Sequence, residues 1–252
     1  MNKVAFVTGG QQGIGLGIVE ALISDGYRVA IASELSKSDP RVAEILSRFD
    51  GQVRYYQHDL CNVEDTENLV SSIVSDLGPI TTYVSNAGIA SPVRGDMLDI
   101  SIAHFDRVLD INLRGSFFLA QNVARHMLDT PSDAYRSLSF VTSVSAEMVS
   151  IERADYCMSK AAASMMAQNF AVRLAPNNIG VFELRPGIIE TPMTLGVRDK
   201  YTPRIENGLV PAKRWGEPTD IGSVILPLAR GQLAFATGNV IAIDGGLSIP
   251  RL

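Results

Sequence analysis

Short apolar runs alternate along this chain with longer stretches in which apolar residues recur every three or four positions. The short runs fall at residues 4–8, 28–33, 53–59, 81–85, 138–143, 180–184 and 240–243. They are rich in Val, Ile, Phe and Tyr, and several lack in-out alternation, the pattern of strands buried on both faces. Between them, Ile14, Ile18, Leu22 and Ile23 mark one helical stripe, closed by Gly26. Leu69, Ile73 and Leu77 mark another within residues 63–77. Longer helical patterns cover 102–128 and 155–175, the second stopping before Pro176-Asn177-Asn178. A last one covers 219–229, where Pro227 predicts an early end or a kink.

Strand–helix alternation of this kind predicts an α/β fold: a doubly wound parallel sheet of about seven strands with helices on both faces. No linker, repeat or low-complexity tract divides the 252 residues, so 1–252 reads as one domain. Residues 190–217 carry three prolines and three glycines and no clear period. A loop that long in a compact domain predicts a lid or binding segment.

Composition narrows the function. The chain is 46% hydrophobic and 19% charged, which predicts a sizeable core. Its net charge is −5 and no basic run exceeds Lys213-Arg214, so it lacks the phosphate-backbone footprint of a nucleic-acid binder. No apolar run approaches the ~20 residues of a membrane span. Cys61 and Cys157 form no CxxC, and His58, His104 and His126 show no ligand spacing, so no metal is expected and the histidines read as surface or helix-face residues. A cytoplasmic protein is expected.

Two stretches carry chemistry. In "VTGGQQGIGLG", Gly9, Gly13 and Gly15 sit between the first strand and a helix, where glycines let backbone N–H groups approach a pyrophosphate. Glu34 lies nineteen residues beyond Gly15, near the end of the second strand, about where a ribose-binding acid is wanted. In "ERADYCMSKAAASMM", Tyr156 and Lys160 are four apart and share a helix face. A cation beside a phenol favours the phenolate and eases proton exchange. Seven tyrosines and five lysines predict ~0.14 such pairs by chance. Requiring a serine thirteen residues before the tyrosine, as Ser143 is, lowers that to ~0.01.

These motifs, with others along the whole chain, resemble the short-chain dehydrogenase/reductase family. "TGGQQGIG" (8–15) resembles its glycine signature, "HDL" (58–60) its adenine segment, and "SNAG" (85–88) its NNAG motif with Ser85 in place of Asn. "INL" (111–113), "RPGIIETPM" (185–193) and "TGNVIAIDGG" (237–246) also match. The resemblance implies an NAD(P)-dependent oxidoreductase interconverting a ketone and a secondary alcohol. Its catalytic residues would be Asn112, Ser143, Tyr156 and Lys160. Tyr156 would exchange the proton, Ser143 would hydrogen-bond the carbonyl oxygen, Lys160 would hold the nicotinamide ribose, and Asn112 would bind a relay water. A buried amide or a kink is the alternative for Asn112, which with Gly115 is a poor helix former. The cofactor would lie on Gly9, Gln11, Gln12, Gly13, Ile14, Gly15, Ser33, Glu34, Asp59, Leu60, Asn86, Ala87, Gly88, Tyr156, Lys160, Pro186, Gly187, Ile189 and Thr191. For Thr191 a plain turn threonine is the alternative.

NAD-preferring members carry an acid where Ser33 stands. NADP-preferring members carry a base where Gln12 or Glu34 stands. A Glu34 carboxylate ~5 Å from a 2′-phosphate would repel it by about 3 kcal/mol at an effective dielectric of ~20. A preference for NAD(H) is expected, with Lys37 and Ser33 keeping NADP(H) open. The family also implies a homotetramer. The Tyr156 helix is small or apolar most of the way round (161–163, Met165, Met166, Ala167, Phe170, Ala171), which predicts a second buried face. Residues 145–155 and 190–217 would wall the substrate, and the charges of the second would form a solvated lid surface. The overall pattern is similar to 3-oxoacyl-thioester reductases and to sugar or polyol dehydrogenases. A nucleotide sensor without turnover is the reading from another class.

Overall fold

Seven parallel strands form one sheet in the order β3-β2-β1-β4-β5-β6-β7 in the computed structural model, which describes residues 3–130 and 132–251. They are β1 (Val4–Thr8), β2 (Arg28–Ser33), β3 (Val53–Gln57), β4 (Thr82–Ser85), β5 (Arg136–Val141), β6 (Ile179–Pro186) and β7 (Val240–Ile243). The central strands are buried along their whole length, which is why they read as unbroken apolar runs. β1 sends Val4 and Phe6 into one core layer and Ala5 and Val7 into the other. The first layer is filled from α3 (Thr66–Leu77), α5 (Ser116–Asp129) and α6 (Ala154–Leu174), the second from α1 (Gly13–Ser24), α2 (Pro40–Arg48) and α8 (Pro218–Ala229).

Chain order reverses between β1 and β4, which both leave from the middle of the sheet. Ligands of such sheets bind beyond the carboxyl ends at that switch point. Here the two ends are laced together: Thr8 Oγ1 accepts from the Asn86 and Ala87 amides, each at 3.0 Å, and Asn86 Nδ2 donates to the Thr8 carbonyl at 3.0 Å.

The structure departs from the sequence pattern in four places. The helix expected over 102–128 is three pieces: α4 (Ile102–Leu109), a π-helical turn (Asp110–Gly115) and α5. α2 was not expected, although Asp39 caps it, accepting from the Arg41 amide at 3.0 Å, and Pro40 opens it. α7 (Arg198–Glu206) lies in the segment read as structureless, because only Ile205 of it is buried and a nearly all-polar helix has no apolar period. Pro227 neither shortens α8 nor stops its last turn, where Arg230 N still donates to Leu226 O at 2.9 Å. The 190–217 excursion is pinned at its neck, where Glu190 N donates to Gly216 O at 2.8 Å and Gly216 N to Ile188 O at 2.9 Å.

Candidate active site

A cleft runs across the carboxyl ends of the strands. Gly9, Gln11, Gln12, Gly13, Ile14 and Gly15 form one wall, and Asn86, Ala87 and Gly88 lie opposite. Ser33, Glu34, Asp59 and Leu60 close one end, and Tyr156, Lys160 and Thr191 the other. Gly15 cannot be replaced without moving backbone, since a Cβ there would stand 2.1 Å from the Gly9 carbonyl oxygen. The turn is therefore tight enough for its amides to face a phosphate at the start of α1. At the far end Ser33 is buried and its hydroxyl bonds the Tyr55 hydroxyl at 2.6 Å, while Glu34 is exposed on the cleft. The π turn brings Gly115 against the segment that follows β3: a Cβ on Gly115 would lie 2.1 Å from the Leu60 carbonyl oxygen.

At the other end Lys160 is 7% exposed, and its ammonium donates to the Val141 carbonyl at 3.1 Å. The same ammonium lies 5.7 Å from the centre of the Tyr156 ring, and the Arg153 guanidinium lies 5.6 Å from it. An ammonium has three donors, so Val141 leaves Lys160 two for a ligand. Tyr156 is held from behind by its neighbour Asp155. That buried carboxylate accepts from the Tyr156 amide at 2.7 Å and from the Ser91 hydroxyl. Ser143 lies just past β5, its hydroxyl accepting from the Ser145 amide at 3.1 Å.

Asn112 is buried inside the π turn, the kind of helix defect often found at functional sites. Its Oδ1 accepts from the Ile89 amide at 2.8 Å, and its Nδ2 donates to the Ile89 carbonyl at 3.0 Å and to Ser159 Oγ at 3.1 Å. These bonds use both amide hydrogens and one Oδ1 lone pair of Asn112. Asn112 lashes the chain after β4 to α6, one residue from Lys160. Thr191 also bonds locally, its amide donating to Thr194 Oγ1 at 3.0 Å, yet it lines the cleft opposite Gly13.

Five further expected residues are held by contacts within the protein. Asn112 and Ser143 are placed as above. Pro186 ends β6, the Gly187 amide donates to Ile243 O at 3.0 Å, and Ile189 is buried and bridges to Gly216. Other cleft-side residues escaped the sequence reading. His58 is neither on the surface nor on a helix. It is 6% exposed, lines the cleft beside Asp59, and burial lowers its pKa against the weaker pull of Asp65 and Asp59. Arg41 Nη1 donates to Gln12 Oε1 at 3.1 Å while Asp39 holds its Nε and Nη2 at 2.9 and 2.8 Å. Arg41 had a signal, the Asp39-Pro40 helix start. His58 had none beyond its place before Asp59.

The cleft thus joins a glycine wall to an exposed acid, Glu34, and a buried lysine, Lys160. The family described as Enoyl-(Acyl carrier protein) reductase matches residues 9–248. The chain belongs to the short-chain dehydrogenase/reductase family. It is accordingly an oxidoreductase acting on CH–OH and C=O groups, and the family binds NAD(P)(H). A solved structure of 3-oxoacyl-[acyl-carrier protein] reductase from Brucella melitensis in complex with NAD is similar, with 45% identity, 100% of this chain and 99% of that one covered, and a TM-score of 0.95. The 3-oxoacyl-[acyl-carrier-protein] reductase of Thermotoga maritima is 32% identical over 98% of each chain. The 2-dehydro-3-deoxy-D-gluconate 5-dehydrogenase of Formosa agariphila is 28% identical over 98% of this chain and 92% of its own. Among the described residues no group of three or more His, Cys, Asp or Glu is placed to hold a metal, and no helix is long and apolar enough to cross a membrane.

Proposed function

We propose that this chain interconverts 3-oxoacyl and 3-hydroxyacyl thioesters with NAD(H), Tyr156 serving as the general acid and base. The observation that carries the reading is the buried Lys160 ammonium beside the Tyr156 ring at the closed end of a dinucleotide cleft. Bound nicotinamide supplies or accepts the hydride. The residues do the rest. Tyr156 gives its proton to the carbonyl oxygen, or takes it back from the alcohol. Ser143 donates its hydroxyl proton to the same oxygen while its Oγ goes on accepting from the Ser145 amide. Lys160 gives one of its two remaining donors to the ribose hydroxyls, keeps the other for a relay water and stabilises the phenolate. Asn112 fixes Ile89 and Ser159, and its remaining Oδ1 lone pair holds that water. Pro186, Gly187, Ile189 and Thr191 bound the nicotinamide face.

The substrate walls favour an acyl chain. Met148, Val149, Ile151, Met193 and Leu195 are all exposed there. Three cations of the 190–217 lid already have partners: Arg198 pairs with Glu190 at 2.8 Å, Lys200 with Glu152 at 3.7 Å and Arg214 with Asp220 at 2.7 Å. The sugar or polyol reading rests on the gluconate-class relative. Glu34 on the cleft supports NAD(H), as does the NAD complex of the Brucella protein. Arg41 is nearby, but Asp39 balances its charge. The same reading makes 1–252 one working unit, folded as a cytoplasmic homotetramer. Both cysteines are free, as in a reducing compartment, and α6 presents Met158, Met165 and Val172 to solvent as an uncovered apolar face.

A panel of 3-oxoacyl thioesters, sugars and polyols assayed with both cofactors tests this. The expected result is thioester turnover with kcat/KM for NADH above that for NADPH. Turnover of polyols alone would overturn the substrate, and a tenfold advantage for NADPH would overturn the role of Glu34.

A further inference from the structure

A buried ion pair lies directly behind the reacting end. Glu183 and Arg185, both on β6, are 2% and 9% exposed. Glu183 Oε1 accepts from Arg185 Nε and from Thr142 Oγ1, each at 2.6 Å. Its Oε2 accepts from Ser164 Oγ at 2.7 Å. Arg185 Nη2 in turn donates to Ser164 Oγ at 2.9 Å, and Nη1 pairs with Glu147. Burial alone pulls the Arg185 pKa down, but the Glu183 and Glu147 carboxylates outweigh it and raise it above its ordinary value. Both buried charges are therefore fully partnered, which an ion pair in a core requires.

The positions of the partners give the cluster its meaning. Thr142 sits between Val141, whose carbonyl holds Lys160, and Ser143. Its amide also donates to Leu184 O at 2.8 Å. Ser164 is one helical turn beyond Lys160 on α6, the helix that carries Tyr156. Glu147 lies in the turn that follows Ser143. A closed ring results: Lys160 to Val141, through Thr142 to Glu183 and Arg185, through Ser164 back to the Lys160 helix. Such a buried pair is a poor source of stability, since well-packed apolar residues often do as well or better. It does fix geometry, because each member has only one arrangement in which all its partners are satisfied.

We infer that Glu183 and Arg185 are positioning residues that set the Ser143 turn against the Tyr156–Lys160 helix. The inference rests on the catalytic roles proposed above. None of Glu183, Arg185 and Ser164 lines the cleft, so they act through Thr142 and α6.

Ser164→Ala and Glu183→Gln test it, with Ser164→Thr as the conservative control that keeps the hydroxyl. In the full-length protein the first two are expected to lower kcat at least threefold. KM and the dissociation constant for NADH should move less than twofold, and the limb of the pH–rate profile assigned to Tyr156 should shift. Amide exchange over residues 142–147 should rise at least tenfold, with α1 unchanged. Ser164→Thr should stay near the parent on all counts. If Glu183→Gln fails to fold, Glu183→Leu combined with Arg185→Leu replaces it, since it buries no unpaired charge. A kcat and exchange rate within 1.5-fold of the parent in every variant, whatever happens to the melting temperature, overturns the inference. A parent that turns over no ketone sinks the catalytic reading instead, and the exchange measurement still decides whether the ring holds the turn.

Discussion

Tyr156 and Lys160 were legible as a pair because an α-helix makes residues four apart neighbours. What holds them was not. Asp155 and Ser91 behind the tyrosine, and the Val141 carbonyl on the lysine, come from three separate elements. The sharpest test of the pair is Tyr156→Phe, which fills the same space and cannot donate a proton. Turnover is expected to fall at least ~10²-fold while NADH titrations give an unchanged affinity; a loss of threefold or less removes Tyr156 from the chemistry. At the other end of the cleft, Glu34→Gln takes away the charge that would repel a 2′-phosphate. The ratio of kcat/KM for NADPH over NADH is expected to rise about tenfold or more, and an unmoved ratio means the carboxylate does not face the ribose. The conversion of ~1.4 kcal/mol to tenfold makes this a modest share of the ~3 kcal/mol repulsion, because solvent screens an exposed carboxylate.

The π turn between α4 and α5 is the element on which both halves of the cleft depend. It inserts Asn112 towards Ile89 and Ser159 and lets Gly115 press on the Leu60 carbonyl. Two poor helix formers within a long apolar pattern hinted at a break, but apolar periodicity alone continues through a single wide turn. Gly115→Ala puts a Cβ where the Leu60 carbonyl oxygen would be 2.1 Å away. Overpacking of this kind costs about 1–3 kcal/mol. The variant is expected to melt lower and to bind NADH several-fold more weakly, because Asp59 and Leu60 must move; calorimetry and NADH fluorescence measure the two. An unchanged affinity would separate the turn from the adenine site.

The whole molecule is closed by Asp25, at the end of α1, which pairs with Arg230 beyond α8 and with Lys3 ahead of β1 at 3.1 Å. The hydrogen bond from Arg230 is the main reason its pKa lies below the ordinary carboxylate value, with burial opposing and Lys3 assisting. A depressed pKa in the folded state means a contribution present above the unfolded value of ~3.9 and lost as pH falls through the folded one. Asp25→Asn is therefore expected to melt lower than the parent at pH 7, with the gap closing below about pH 4; a gap that persists into strong acid would mean that packing, not charge, is what Asp25 supplies. Assembly is tested by light scattering at micromolar concentration. Four chains of 27.2 kDa, about 109 kDa, are expected, and a monomer would leave the exposed Met158, Met165 and Val172 of α6 without the role given to them.

The sequence by itself determined the parallel sheet, the glycine turn and the spacing of Ser143, Tyr156 and Lys160. Each is a local matter: strands buried on both faces must be apolar throughout, a tight turn must use glycine, and helix geometry fixes which residues share a face. Only the tertiary structure decided what lies behind them. It joined Arg41 to Gln12, buried His58 beside the cleft, and locked Glu183 and Arg185 to Thr142 and Ser164. Those partners are separated along the chain by other elements. No local pattern encodes such a meeting, because it exists only once the sheet has set strand order and the helices have packed on it.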